Sequence, residues 1–211
     1  MCHLSNLFIF YMTDIRENPD ATEATILPVV KMNDVNTPEE KIRLLVLGGA
    51  NSGKSLYGER IAKTCTSPWI YIATAASLDH EMKRKIKDHQ ERRSGEWTTV
   101  EEPLDLSRIL EKYSKTRQTL LIDCLTLWVS NLLIGGDDFI PVLDRFCHSV
   151  RNYQGSLVMV SNEVGLGIVP DTNLGREFRE MSGILNQKIA DTVDSVHFIV
   201  SGLPIILKDK K

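Results

Sequence analysis

The run Gly48-Gly49-Ala50-Asn51-Ser52-Gly53-Lys54-Ser55 has the G-x-x-x-x-G-K-S spacing that cradles phosphate. Successive backbone N–H groups of such a turn face a polyphosphate, and the N-terminus of the following helix adds partial positive charge. In that geometry Lys54 reaches the β- and γ-phosphates and Ser55 ligates magnesium. Context strengthens the reading: Ile42 to Leu47 reads as a buried strand just before the loop, and Leu56 to Thr64 as a helix just after it. A glycine turn that binds nothing would need all these features to coincide by accident.

Three further groups carry chemical potential. Asp123 closes the apolar run Thr119-Leu120-Leu121-Ile122. A carboxylate there can hold magnesium at the carboxyl edge of a sheet, or simply cap a helix beginning at Leu125. In the charged stretch from Glu81 to Arg93, a helix would set Lys85, Arg92 and Arg93 one turn from His89. Cations around an imidazole favour its neutral, nucleophilic form and neutralise phosphate. The same composition also describes a solvated helix face. The stretch Ser161-Asn162-Glu163-Val164-Gly165-Leu166-Gly167-Ile168-Val169-Pro170 follows a predicted strand, and reads equally as a functional loop or as a connection whose glycines serve backbone angles.

The elements that must position these residues alternate. Strands are expected at Trp69–Thr74, Trp97–Glu101, Thr119–Asp123, Ser156–Ser161 and Ser195–Val200. Helices are expected at Asp79–Arg93, around Leu104–Tyr113, and at Leu125–Leu133, Ile140–Tyr153 and Leu174–Asp191, with a turn at Gly135-Gly136-Asp137-Asp138. Alternating apolar strands and helices imply an α/β fold of three layers, a P-loop NTPase of RecA-like kind with a mostly parallel central sheet.

The length of 211 residues suits one such domain, expected over residues 42–211. Residues 13–41 are rich in Asp, Glu, Asn, Thr and Pro, and residues 1–41 are expected to be a poorly ordered extension. Its apolar run from Leu7 to Met12 is too short to span a bilayer, which needs roughly 20 apolar residues. The formal net charge of -3 gives no global reason to expect nucleic acid as partner. Cys2, Cys65, Cys124 and Cys147 show no metal-ligand spacing and read as reduced thiols of a cytoplasmic protein.

Taken in order, Gly48 to Ser55, Tyr71-Ile72-Ala73-Thr74, the His89…Arg93…Trp97 segment with Glu101, Asp123-Cys124-Leu125-Thr126-Leu127-Trp128, and Ser161 to Pro170 resemble the bifunctional adenosylcobinamide kinase/adenosylcobinamide-phosphate guanylyltransferase family. The resemblance implies two reactions in one domain. Adenosylcobinamide is phosphorylated from ATP or GTP, and GMP then passes from GTP through a guanylated histidine to the corrinoid phosphate. By resemblance His89 is that histidine. The nucleotide contacts are Gly48, Gly49, Ala50, Asn51, Ser52, Gly53, Lys54, Ser55, Ala73, Thr74, Ala75, Gln90, Glu91, Arg92, Arg93, Glu101 and Asp123. Ser55 and Asp123 hold Mg2+, and the assembly is a homotrimer. Asn51 stands where the family pattern has Arg, Ser94 where it has Pro, and residues 1–41 have no counterpart.

Other readings are a P-loop kinase of another small molecule without nucleotidyl transfer, a regulatory GTPase, and a RecA-like nucleic-acid motor. The GTPase reading expects a guanine-reading Asn-Lys-x-Asp after a late strand, where this chain has Ser161-Asn162-Glu163-Val164.

Overall fold

The computed structural model describes residues 41–75 and 95–209. The extension expected over residues 1–41 therefore falls almost wholly outside the described residues. So does the charged helix expected at Asp79–Arg93, with His89, Gln90, Glu91, Arg92 and Arg93.

The chain runs β1 (Arg43–Gly48), α1 (Lys54–Lys63), β2 (Trp69–Ala73), β3 (Trp97–Glu101), α2 (Leu106–Ser114), β4 (Thr119–Asp123) and α3 (Leu125–Gly135). It continues through α4 (Phe139–Asn152), β5 (Leu157–Asn162), α5 (Asn173–Thr192), β6 (Ser195–Val200) and β7 (Leu203–Asp209). The strands form one sheet in the order β3-β2-β4-β5-β1-β6-β7. Every pairing is parallel except the antiparallel β6–β7 pair. The near-continuous apolar runs of β1, β4 and β5 fit this arrangement, since central parallel strands are covered on both faces.

Alternation along each strand sorts side chains onto the two faces. Leu45, Leu47, Ile70, Ile72, Leu120, Ile122, Leu157 and Met159 meet α2, α3, α4 and α5 in the larger core, where Trp128, Phe146 and Leu185 are fully buried. Leu44, Val46, Tyr71, Leu121, Val158 and Val160 face α1 through Ala62. Gly58 lets α1 lie close to the sheet, since a Cβ there would meet the Val160 side chain at 3.2 Å. The result is the three-layer, mostly parallel α/β fold that the alternating elements imply.

Two expectations need correction. The first helix begins at Lys54 rather than Leu56, so Lys54 and Ser55 lie in its first turn. The expected strand set omits β7, an apolar run near the chain end. Ser201 and Gly202, with φ of 51° and 83°, make the tight turn that folds it back on β6. Pro204 is accommodated because β7 is an edge strand, and that edge leaves Leu203, Ile205, Ile206 and Leu207 exposed.

Candidate active site

The described candidate residues gather at the carboxyl edge of the sheet. Gly48 ends β1, Ala73 ends β2, Glu101 ends β3 and Asp123 ends β4. Ala73 stands in register with both Glu101 and Asp123. The alternation that puts Leu121 and Tyr71 toward α1 puts Asp123, Ala73 and Glu101 on that same face, where the phosphate loop enters α1. Edge and face together define one site.

The loop is shaped by left-handed backbone at Asn51 (φ 54°) and at Gly53 (φ 94°), the residue that caps α1. Asn is among the side chains that tolerate such a conformation, and Gly53 meets it without a Cβ penalty. The Tyr57 N–H donates to the Gly53 carbonyl at 3.0 Å to start the helix. Lys54 is buried, and its Nζ donates to the Gly49 carbonyl oxygen at 2.8 Å. Burial lowers the affinity of its amine for a proton, while Cys124 and Asp123 act the other way. A pocket of about 400 Å³ is lined by Ala50, Asn51, Ser52, Gly53, Lys54, Ser55, Leu56 and Asn162.

Asp123 is not the cap of the next helix. The N-cap of α3 is Cys124, and no side chain caps it, so the half-buried carboxylate is not engaged there. The chain beside it is locked down: the Thr74 hydroxyl donates to the Cys124 carbonyl at 2.7 Å and accepts from the Cys124 N–H at 2.9 Å. Asn131 holds Thr74 from the other side, donating to its carbonyl at 2.8 Å. The Cys124 thiol is pushed up to about 12 by burial and by Asp123, so it remains protonated and is no nucleophile. Cys124 and Cys147 are buried free thiols.

Among the described residues no cluster of three or more His, Cys, Asp or Glu side chains is arranged to hold a metal. The two candidate magnesium ligands, the Ser55 hydroxyl and the Asp123 carboxylate, both belong to this edge, with the Glu101 carboxylate on the same face. That set fits magnesium, which is commonly held by one or two carboxylates together with substrate phosphates and water.

The β6–β7 turn was not legible as a site feature, and the stretch after β5 was legible only as one of two equal readings. The Gly202 N–H in the β6–β7 turn donates to the Ser52 carbonyl at 2.9 Å, so the unexpected hairpin braces the phosphate loop. Gly202 Cα would lie 3.4 Å from a Cβ added at Gly53. The stretch after β5 also opens into the site: Asn162 lines the pocket, and the Glu163 N–H donates to the Gly48 carbonyl at 3.0 Å. Neither Gly165 nor Gly167 has positive φ, so left-handed backbone is not what these glycines supply. Arg179 and Arg176 instead tie this stretch to α5 through the carbonyls of Gly165, Pro170 and Asp171.

A glycine-rich loop leading from the first strand into a helix, on a parallel sheet whose neighbouring strand ends carry the charged groups, is how P-loop nucleotide-binding enzymes are built, and this chain is one of them. Within that class, the model of the family described as cobinamide kinase / cobinamide phosphate guanyltransferase matches residues 44–207, and the chain belongs to that family. It is 42% identical over 169 residues to the bifunctional adenosylcobalamin biosynthesis protein CobP of Pseudomonas aeruginosa, covering 79% of this chain and 98% of the relative. It is 34% identical over 180 residues to the protein CobU of Escherichia coli, with the same description, covering 78% and 99%. Among solved structures, a KaiC-like protein from Pyrococcus horikoshii aligns at a TM-score of 0.48 with 11% identity, over 81% of this chain and 80% of that one.

Proposed function

We propose that this chain phosphorylates the hydroxyl of the aminopropanol arm of adenosylcobinamide, with ATP or GTP as donor, and then transfers GMP from GTP to the new phosphate through a guanylyl group on His89. The observation that carries the nucleotide part is the convergence of the Gly48–Ser55 loop, Ala73, Thr74, Ala75, Glu101 and Asp123 at one edge of the sheet.

For the first reaction, backbone N–H groups from Gly48 to Ser55 hold the polyphosphate. Lys54 exchanges its bond to the Gly49 carbonyl for phosphate oxygens, and their charge restores the proton affinity that burial removes. Ser55 and Asp123 would hold Mg2+, which supplies charge neutralisation on the phosphates when bound. Positioning and electrostatics carry most of such a transfer.

In the second reaction a nitrogen of His89 bonds to the α-phosphorus of GTP, the α–β bridging P–O bond breaks, and pyrophosphate leaves. An oxygen of the corrinoid phosphate then displaces His89 to give adenosyl-GDP-cobinamide. Dividing the transfer into two displacements lessens the charge conflict of joining two bulky anions directly. Arg92 and Arg93, with Gln90 and Glu91 on the same segment, would steady the transferring group. His89 lies outside the described residues, and its role rests on the sequence segment that carries it. By the same resemblance the assembly is a homotrimer, while the cysteine pattern and the net charge of -3 support a cytoplasmic protein without a nucleic-acid partner.

The test uses GTP labelled at the α-phosphate or at the guanine base, with magnesium and no corrinoid. Acid-labile, base-stable labelling of wild type from both forms, absent from His89→Ala, is the expected result. No labelling of folded wild-type protein that binds GTP overturns the guanylyl-histidine and leaves a kinase.

A further inference from the structure

Asn162 is a polar strand-end side chain at the phosphate edge that the functional reading leaves without a role. The sheet order inserts β5 between β1, which carries the phosphate loop, and β4, which carries Asp123. Asn162 stands in register with Gly48, and Asp123 stands in register with Val160 on the same strand. Alternation gives Asn162 the face of Val158 and Val160, the α1 face, and it lines the pocket shared by Lys54 and Ser55.

The backbone of Asn162 is fixed from the opposite face by a buried polar network. Its N–H donates to Thr126 Oγ1 at 2.6 Å, and its carbonyl accepts from Asn186 Nδ2 at 3.2 Å. Ser161 Oγ donates to Asn186 Oδ1 at 2.7 Å and lies 3.2 Å from Thr126 Oγ1. Ser161, Thr126 and Asn186 are 1%, 4% and 6% exposed, so the anchor is shielded from water. Both bonds to Asn162 use its main chain. Among the described residues its carboxamide has no hydrogen-bond partner.

Because Asn162 lines the pocket of Lys54 and Ser55, the terminal phosphate of a nucleotide held by the Gly48–Ser55 loop would lie near the end of β5. Ser55 and Asp123 would hold magnesium, which would supply charge neutralisation there. We propose that Asn162 is a catalytic residue of the kinase reaction: its amide N–H donates to an oxygen of the γ-phosphoryl group in the bound nucleotide and through the transfer, and its amide oxygen accepts from the acceptor hydroxyl and aligns it. The hydroxyl oxygen bonds to the γ-phosphorus, the β–γ bridging P–O bond breaks to release nucleoside diphosphate, and the hydroxyl proton leaves to water. The inference rests on the nucleotide placement proposed above. GMP transfer makes a different demand, because there the γ-phosphate stays within the departing pyrophosphate.

Wild type, Asn162→Ala and the near-isosteric Asn162→Asp are compared in two assays: phosphorylation of adenosylcobinamide by MgATP, and GMP transfer from MgGTP to adenosylcobinamide phosphate. Both variants are expected to lose about 100-fold or more in kcat for phosphorylation, the scale of one lost oxyanion donor, and at least tenfold less in GMP transfer. A ratio of losses below tenfold in both variants overturns the assignment. Titration with MgATP and MgADP needs no acceptor and decides the role of Asn162 even if wild type phosphorylates no corrinoid, an outcome that would sink the functional reading instead. The preference for ATP over ADP should fall about tenfold in Asn162→Ala, the scale of one hydrogen bond to a charged group, and an unchanged preference overturns the γ-phosphate contact.

Discussion

Replacing Asn186 by Leu tests whether the network beneath the strand end stabilises the fold as well as fixing the site. Leu keeps the branched shape of Asn but is bulkier, so the change leaves no cavity and adds some overpacking to the polar loss. It removes the acceptor of the Ser161 hydroxyl and the donor to the Asn162 carbonyl. Ser161 can still pair with Thr126, whereas the carbonyl of Asn162 loses its only partner named here. Two lost bonds at about 1 kcal/mol each, plus about 1–3 kcal/mol for a buried group left unpaired, give a destabilisation of roughly 2–4 kcal/mol once partial solvation of the half-buried carbonyl is allowed for. At about 2–4 °C per kcal/mol for a domain of this size, Tm should fall by roughly 5–15 °C. Urea unfolding followed by tryptophan fluorescence measures the change directly. The double variant with Ser161→Ala should show a coupling of about 0.5–3 kcal/mol between the two positions. A loss below about 0.5 kcal/mol, or strictly additive effects, would refute the idea that this network braces the end of β5.

Gly202→Val forces a β-branched side chain into the left-handed turn that supports Ser52, at φ 83°. It should cost about 1–3 kcal/mol of stability and weaken ATP binding, whereas unaltered ATP affinity in isothermal titration would show that the brace does not shape the loop. His197 is half-buried against the Tyr57 hydroxyl, at 2.8 Å from its Nδ1, with Asp209 as the nearby opposing charge. Burial holds its pKa below the ordinary 6.5, partly offset by Asp209, so as pH falls below 6.5 the unfolded chain takes up the proton first. Its contribution is complete above pH 6.5 and is lost as pH falls through the lowered value, at up to about 1.4 kcal/mol per pH unit. In His197→Phe the stability curve on that acid side should be flatter, and equal slopes in urea melts from pH 7 to 5 would exclude the mechanism.

Much of this architecture is written locally in the chain. A phosphate loop is a contiguous motif, and Lys54 and Asp123 are visible because each sits beside an unmistakable apolar run. The choice between capping and metal binding at Asp123 is not local, because it depends on where α3 begins. Asn162 is harder still. Its relation to Lys54 arises only when β5, distant in sequence, inserts between β1 and β4, and no window of residues encodes that order. The last strand escaped for a different reason: Leu203 to Leu207 lacks clear alternation, and both of its faces stay largely exposed at the sheet edge. Its signal was the Ser201-Gly202 pair in front of an apolar run, which marks a hairpin through its φ requirements.

The unequal layers of the fold separate two kinds of damage. Within the described residues, four helices cover the face that holds Trp128 and Phe146, while α1 and the Gly48–Ser55 loop lie on the other face. In a survey of random substitutions scored only by cofactor production, variants at Trp128 or Leu185 would fail through low abundance of folded protein, with normal turnover in each surviving molecule. Variants at Lys54 or Asp123 would accumulate to ordinary levels and fail at turnover. Growth at reduced temperature or raised expression would rescue the first class and leave the second unchanged, so a simple genetic screen would sort residues by the side of the sheet on which they lie.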